Sequence, residues 1–493
     1  MKVLLVLPTM NRFLVRQKAA SSPLGLLAIA SYIKAKGHIV KIVDLTVKTE
    51  NIKKHIRSFE PDVVGLSVMS ALAGNSAIKV SKAVKEFNKI VVWGGRLPSS
   101  LPELCLKESC VDFAVIGEGE ITFSELLHTI ETGEPFNNIA GLAFADENGL
   151  HINKDREFAD LAAFPVLDWS IVNPKKYAQK YFLCEKMMYS YFSKGCPGKC
   201  TYCFNPSYHR SVHRKRPPEH VIEEIEYLVK NYGIDGIYFA DEFWYPGKDD
   251  MQTFFRLIEE RNLKFVWGCQ SRLGTFSRED FQHMFDTGCR WILFGVESGC
   301  EKRNKETKKN IDIKGAKETF DICREVGIIT QSSFIIGYPG ETEEELKQTV
   351  TYAFSLEADL LPLNGFYPQP DSDLYNEIVS SKLFTPPKSI KEWSKIEVGE
   401  VNKANISKVP SKDLKVLHFY TQWLGFSQNG SISWESYTIA KKMAIDALKD
   451  IAKLGPIFFF IGALVRARNF LTVFWYANAY PKILKKYGID KKK

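Results

Sequence analysis

Gly195-Cys196-Pro197-Gly198-Lys199-Cys200-Thr201-Tyr202-Cys203 decides how the rest of the chain is read. Three residues separate Cys196 from Cys200, and two separate Cys200 from Cys203. Thiolates this close, on a turn of glycine and proline, suit a soft metal centre. Closed zinc sites usually take four protein ligands, with a second pair further on. Here the next cysteine is Cys269. An iron–sulfur cube has four irons, so three thiolates leave one iron open to a ligand. Cys196, Cys200 and Cys203 are therefore the candidate metal ligands and the candidate catalytic centre.

The composition is that of a reduced globular protein. A chain of 493 residues is long enough for two or three domains. Its ten cysteines are too unevenly placed for a disulfide framework. Residues 1–8 are too short an apolar run for a secretory signal and read as a strand, so a cytoplasmic location is expected. The formal charge is +8, but residues 434–493 alone hold twelve Lys/Arg against four Asp/Glu. The remainder is near neutral, which argues against a general nucleic-acid binder and for a local basic surface.

Residues 1–145 alternate short apolar runs with helical stretches. Strands are expected at 3–7, 39–43, 63–68, 90–93 and 113–116, with helices at 24–36 and 77–87 between them. That alternation predicts a doubly wound, Rossmann-like α/β sheet whose ligands sit at the carboxyl ends of the strands. Those ends carry Thr9, Asn11 and Arg12, then Ser67, then Gly94-Gly95, then Gly117-Glu118-Gly119-Glu120. Glycines there let backbone approach a bulky ligand. Residues 137–149 read as a hairpin with an Asn-Gly turn, and residues 146–186 as a linker.

Residues 187–375 repeat the alternation. Strands are expected at 188–193, 236–240, 265–270, 291–295, 330–336 and 359–365, with helices between them. Six strand–helix units make a partial (β/α)6, TIM-like barrel with its chemistry at the strand ends. The cysteine turn follows the first of these strands. Later ends carry Asp241-Glu242, Arg272, Glu297-Ser298-Gly299 and Ile336-Gly337. Thr342 with Glu345 reads as a capping box. Aromatics at 243–245 and 366–367 suggest a pocket for a large apolar substrate.

Taken together, these features resemble the cobalamin-dependent radical S-adenosylmethionine enzymes. The resemblance rests on the cysteine turn, on Ser22-Pro23-Leu24-Gly25-Leu26, on the Gly94-Gly95 and Gly117–Glu120 turns, and on the ordered strand-end signatures. It implies a 4Fe–4S cluster whose open iron is chelated by S-adenosylmethionine, one electron then yielding a deoxyadenosyl radical. It places Tyr202 beside the adenine, Asp241 and Glu242 at the methionine amino group, and Arg272 at the carboxylate. Glu297 and Ser298 fall near ribose and methionine, and the backbone of Ile336 and Gly337 near adenine. Thr9, Asn11, Arg12, Ser67, Gly94, Gly95, Gly117 and Glu118 are implied as cobalamin contacts. Two features depart from the pattern. The first loop lacks an Asp-x-His-x-x-Gly motif, and Leu97 stands where a histidine usually follows the double glycine.

Residues 376–493 are expected to be mainly helical. Residues 436–454 place Ile439, Met443, Ala447 and Ile451 opposite Lys442, Asp446, Lys449 and Lys453, an amphipathic pattern. Gly455-Pro456 ends it, and an apolar, aromatic stretch with flanking Arg466 and Arg468 follows. It is too short to span a bilayer and suits peripheral contact with a membrane's inner face. The function implied is methylation of an unactivated carbon of a hydrophobic, small-molecule or lipid-like substrate. Oxidative cyclisation or hydroxylation of a tetrapyrrole- or lipid-like substrate is the alternative. A non-catalytic iron–sulfur electron carrier or scaffold is the reading from a different class. The family also implies an electron donor such as flavodoxin or ferredoxin.

Overall fold

The computed structural model describes residues 1–9, 21–48, 50–181, 183–396 and 405–423. Asn11, Arg12 and everything expected of residues 436–493 lie outside the described residues. The described chain forms two compact units. The first holds Met1–Gln270, His283–Arg290 and residues 368–396; the second holds Ser271–Gln282, Trp291–Tyr367 and residues 405–423.

The first unit opens with five parallel strands: β1 (Lys2–Leu7), β2 (Ile39–Asp44), β3 (Val63–Ser67), β4 (Ile90–Gly94) and β5 (Phe113–Val115). Their order is β2-β1-β3-β4-β5, so the winding reverses between β1 and β3. The strands are apolar on both faces because helices cover both. Val92 joins the core formed with Leu26, Ile33, Phe123 and Leu127 of helices Leu24–Ala35 and Gly119–Thr132. Its neighbour Trp93 points the other way and donates through Nε1 to Ser81 Oγ at 2.9 Å, on helix Gly74–Lys85.

An antiparallel hairpin, β6 (Leu142–Asp146) and β7 (Gly149–Ile152), extends this sheet beyond β5. Its turn is Glu147-Asn148, one residue earlier than the Asn-Gly turn expected, because Asp146 pairs with Gly149. The Asn148 N–H donates to Asp146 Oδ1 at 2.8 Å, an Asx turn that sets the register.

The barrel begins in the same unit. β8 (Gln179–Tyr181) runs antiparallel to β9 (Cys184–Ser190). A short ladder of β10 (Ser193–Lys194) and β11 (Arg214–Lys215) closes the loop that carries the three cysteines. β9 then pairs in parallel with β12 (Gly236–Phe239), and β12 with β13 (Val266–Ser271). Trp244 is fully buried among Phe192, Phe239, Phe254 and Trp267, so it belongs to the core and not to a substrate pocket. Residues 368–396 return to the first sheet's helices. Asn75 Nδ2 donates to Ser394 Oγ at 2.7 Å, and Ile390 fills the space beside Gly74, where a Cβ would come within 2.3 Å.

The second unit carries β14 (Cys289–Glu297) from Trp291 onward, β15 (Ile329–Ile336) and β16 (Leu363–Gly365), again parallel. Helices Ala316–Val326 and Glu343–Ser355 separate them, and Thr342 with Glu345 forms the capping box. In chain order β9, β12, β13, β14, β15 and β16 are the six strand–helix units of the partial barrel. Helices Asp373–Ser380, Ile390–Trp393 and Ser411–Trp423 follow.

Candidate active site

The cysteine turn starts at a residue that only glycine satisfies. Gly195 has φ +84°, and a Cβ there would lie 2.1 Å from the Val212 carbonyl oxygen. Cys200 is buried, while Cys196 and Cys203 are half-buried. The Gly198 N–H donates to Cys196 Sγ and the Asn205 N–H to Cys203 Sγ, both at 3.4 Å. Buried Asn205 also donates through Nδ2 to the Cys196 carbonyl at 2.6 Å. Burial pushes the Cys203 thiol up to about 11, with Cys200 and Cys196 adding to it against the Asn205 amide. Amide donors aimed at sulfur, and thiols that need a nearby cation to ionise, form a donor set that fits an iron–sulfur cube. Among the described residues no three His, Cys, Asp or Glu side chains converge on a single ion. A cube instead places each thiolate on a different iron.

The acidic turn after β12 divides its labour. Asp241 is fully buried, and its carboxylate accepts from the Phe192 N–H at 3.0 Å, the Ser193 N–H and Ser193 Oγ. Burial raises it to about 7 in spite of these donors. It clamps the strand entering the cysteine turn. Glu242 accepts from the Gly195 N–H at 3.1 Å and borders a cavity in the first unit.

That cavity, of about 220 Å³, is lined by residues of β1, β3 and β4 and by Lys194 and Phe204, which flank the cysteine turn. Leu5, Gly65, Val92 and Phe123 line its inner end; Ser67, Gly94, Gly95 and Gly117 line its middle. Phe204, Tyr208, His209, Lys194 and Glu242 line the end nearest the cysteines. A Cβ at Gly25 or Gly117 would meet nothing within 4 Å, so these glycines leave open space rather than close packing. The loops after β3 and β4 are joined, the Leu97 N–H donating to the Val68 carbonyl at 3.0 Å. Leu97 itself is buried. Thr9 donates to Ser76 Oγ at 2.9 Å. An apolar slot of this volume leading to a glycine-rich mouth fits the tail of a large cofactor, not its whole bulk.

Between cavity and cysteines lies a charge cluster that sequence reasoning missed apart from its glutamates. Glu118 is paired with Arg214 and sits 3.7 Å from Lys194 Nζ and 3.5 Å from His209 Nδ1. Lys194 also pairs with Glu120 at 2.6 Å. Burial would raise the Glu118 carboxyl, yet Lys194, His209 and Arg214 hold it well below the usual carboxylate range. Burial likewise opposes charge on His209, but Glu118 and Glu242 raise it above the ordinary imidazole value. Tyr208 donates to the Gly117 carbonyl at 2.9 Å. Tyr202 is half-buried in the cysteine turn.

The second unit brings Arg272 and Glu297 to opposite ends of Lys309. Arg272 Nη2 donates to the Lys309 carbonyl at 3.1 Å, and Lys309 Nζ lies 3.5 Å from Glu297 Oε1. Glu297 has φ +71°, a strained conformation common at functional positions. Ser298 Oγ lies 3.1 Å from Thr349 Oγ1 and accepts from the Cys300 N–H. Buried Ile336 leads into Gly337, whose N–H donates to Glu341 Oε2 at 2.6 Å.

Comparison with known proteins adds to this geometry. Residues 190–353 match the Radical SAM superfamily, and residues 16–127 match the B12 binding domain. The chain is 30% identical over 391 residues to an uncharacterized methyltransferase of Pyrococcus horikoshii, covering 78% of this chain and 84% of that one. The chain belongs to the cobalamin-dependent radical SAM enzymes. Its cofactors are a 4Fe–4S cluster, S-adenosylmethionine and cobalamin. An anaerobic magnesium-protoporphyrin IX monomethyl ester cyclase of Rubrivivax gelatinosus is 27% identical to this radical SAM enzyme over 71% of the chain and 65% of the relative. The solved structure of TsrM, a radical S-adenosylmethionine methyltransferase from Kitasatospora setae with cobalamin and a 4Fe–4S cluster bound, superposes with TM-score 0.64. At 18% identity, over 77% of this chain and 75% of that one, it shares the fold. Among the described residues, no helix is long and apolar enough to cross a membrane.

Proposed function

We propose that this enzyme methylates an unactivated carbon of a hydrophobic or small-molecule substrate. When bound, the cluster with S-adenosylmethionine supplies hydrogen-atom abstraction, and cobalamin supplies the methyl group. Cys196, Cys200 and Cys203 would hold the cluster, with Tyr202 beside the adenine. Glu242, with a half-exposed carboxylate beside the cysteine turn, is the group proposed for the methionine ammonium. Asp241, its oxygens already taken by Phe192 and Ser193, is proposed as a positioning residue. Arg272, Glu297, Ser298 and the Ile336–Gly337 backbone are proposed contacts to the rest of S-adenosylmethionine. Thr9, Ser67, Gly94, Gly95, Gly117 and Glu118 are proposed to frame cobalamin. A flavodoxin or ferredoxin is proposed as the electron donor.

One observation carries this reading: the glycine-lined cavity of the first domain ends against the loop that bears the three cysteines, within one compact unit. A methyl carrier and a radical source beside one another are what carbon methylation needs. The test is anaerobic incubation of cofactor-loaded, reduced enzyme with S-adenosylmethionine. Methylation predicts S-adenosylhomocysteine as well as 5′-deoxyadenosine. Oxidative cyclisation, the reading favoured by the Rubrivivax relative, predicts 5′-deoxyadenosine without S-adenosylhomocysteine.

A further inference from the structure

The charge cluster at the cysteine end of the cavity holds three cations, Lys194, His209 and Arg214, to which the cofactor assignments give no role. Its carboxylates come from both domains: Glu118 and Glu120 from the turn after β5, Glu242 from the turn after β12. Its cations come from the loop that carries the cysteines: Lys194 just before them, His209 and Arg214 just after. His209 stands at the centre, only 4% exposed, with Nδ1 3.5 Å from Glu118 and Nε2 3.7 Å from Glu242. Glu242 in turn accepts from the N–H of Gly195, the residue before Cys196. The far side of Glu118 is held by Arg214, whose Nη1 also donates to the Ala159 carbonyl at 3.1 Å. Next to His209, the Tyr208 hydroxyl holds the Gly117 carbonyl.

We infer that His209 is a positioning residue that couples the two cofactor sites, transmitting occupancy of the cysteine turn to the cobalamin-binding loop. The physical case has three parts. First, the chain of contacts is continuous: cysteine turn, Gly195 N–H, Glu242, His209, Glu118 and the 117–120 loop that frames the cavity. Second, opposite charges alternate along it and His209 is buried among them, so moving one charge without its partner is unfavourable. The cluster therefore shifts as a body. Third, the cysteine loop is closed at its base by the Ser193–Lys194 and Arg214–Lys215 ladder. Gly195, which donates to Glu242, and helix Asn205–Tyr208, whose Tyr208 holds the Gly117 carbonyl, flank the three thiolates, so binding at the cysteine turn acts on both ends of the relay. Reciprocity then requires that cluster loading change cobalamin affinity and that cobalamin change cluster retention by the same factor.

This inference rests on the cobalamin and cluster assignment. The test titrates hydroxocobalamin into full-length protein, once stripped of iron and once reconstituted with iron and sulfide. The readout is the ratio of the two dissociation constants. Wild type is expected to bind at least ~5-fold more tightly when reconstituted, within the usual range of coupling. His209→Ala is expected to bring the ratio below about 2. Tyr208→Phe removes only the hydroxyl on Gly117 and should also lower the ratio, without leaving a buried carboxylate unpaired. A wild-type ratio of one overturns the inference. So do variants that weaken both forms equally and preserve the ratio, which is the behaviour of a merely structural residue. Uptake of no hydroxocobalamin by either form overturns the cofactor assignment itself, and this inference with it.

Discussion

At the residue scale, Gly195 and Gly25 make opposite demands. A methyl group at Gly195 meets a backbone carbonyl that cannot swing away, on top of about 1–2 kcal/mol for the left-handed conformation. Gly195→Ala should therefore lose most of its bound iron after reconstitution, measured against protein, while hydroxocobalamin still binds the iron-free form. At Gly25 the Cβ direction is open, and the residue lies in the first turn of helix Leu24–Ala35. Gly25→Leu should leave the thermal midpoint unchanged or slightly raised, because helix propensity improves by up to ~1 kcal/mol. The same leucine occupies the cavity, so cobalamin affinity should fall by tenfold or more. Unchanged affinity would remove the inner slot from the cofactor site. Cys200→Ala should abolish 5′-deoxyadenosine formation while the protein still binds hydroxocobalamin with the affinity of the iron-free form.

Residue roles were the least readable part of the sequence. The three cysteines announce themselves by spacing alone. Lys194, His209 and Arg214 do not, because their partners lie 33 to 96 residues away and no local pattern marks them. Asp241 and Glu242 look alike in sequence. They part only when Ser193 and Phe192 turn back onto one of them.

At the element scale, the capping box of helix Glu343–Ser355 gives a pH prediction. Glu345 accepts from the Thr342 N–H, and Arg303 Nη2 and Lys302 Nζ lie 2.8 and 2.9 Å from it. Burial would raise its carboxyl, but Lys302, the Thr342 N–H and Arg303 lower it to about 2. A folded value below the unfolded one means stability that is full above about pH 4.5 and is lost as pH falls toward 2. Allowing for exposed Lys302, the contribution is on the order of 2 kcal/mol at neutral pH. Glu345→Gln should lower hydrogen-exchange protection of this helix by about thirtyfold at pH 7 and flatten its acid dependence. Equal protection in both proteins at pH 7 would refute the assignment.

Elements were readable because both domains are parallel sheets. Strands buried on two faces leave short, continuous apolar runs, and the glycines after them mark the ends that carry chemistry. Positions where a single pairing decides the outcome were harder to read. Asp146 captured the turn of its hairpin and shifted it by one residue. Trp244 looked like a pocket wall from its place after a strand, yet four surrounding aromatics claim it for the core. The return of residues 368–396 to the first sheet's helices has no local signature. It depends on Gly74 being small enough to admit Ile390.

At the scale of the whole molecule, two cofactor domains follow one another in a single chain, the B12 binding domain before the radical SAM domain. That order was visible as two runs of strand–helix alternation with different endings. The central claim is that three thiolates hold a cube whose fourth iron is open to S-adenosylmethionine. Electron paramagnetic resonance of the anaerobically reconstituted, reduced protein tests it directly, recorded before and after S-adenosylmethionine is added. The account predicts the signal of a reduced 4Fe–4S cluster that changes on addition and is lost in Cys200→Ala. A zinc-only protein, or a cluster signal that S-adenosylmethionine leaves unaltered, would contradict it.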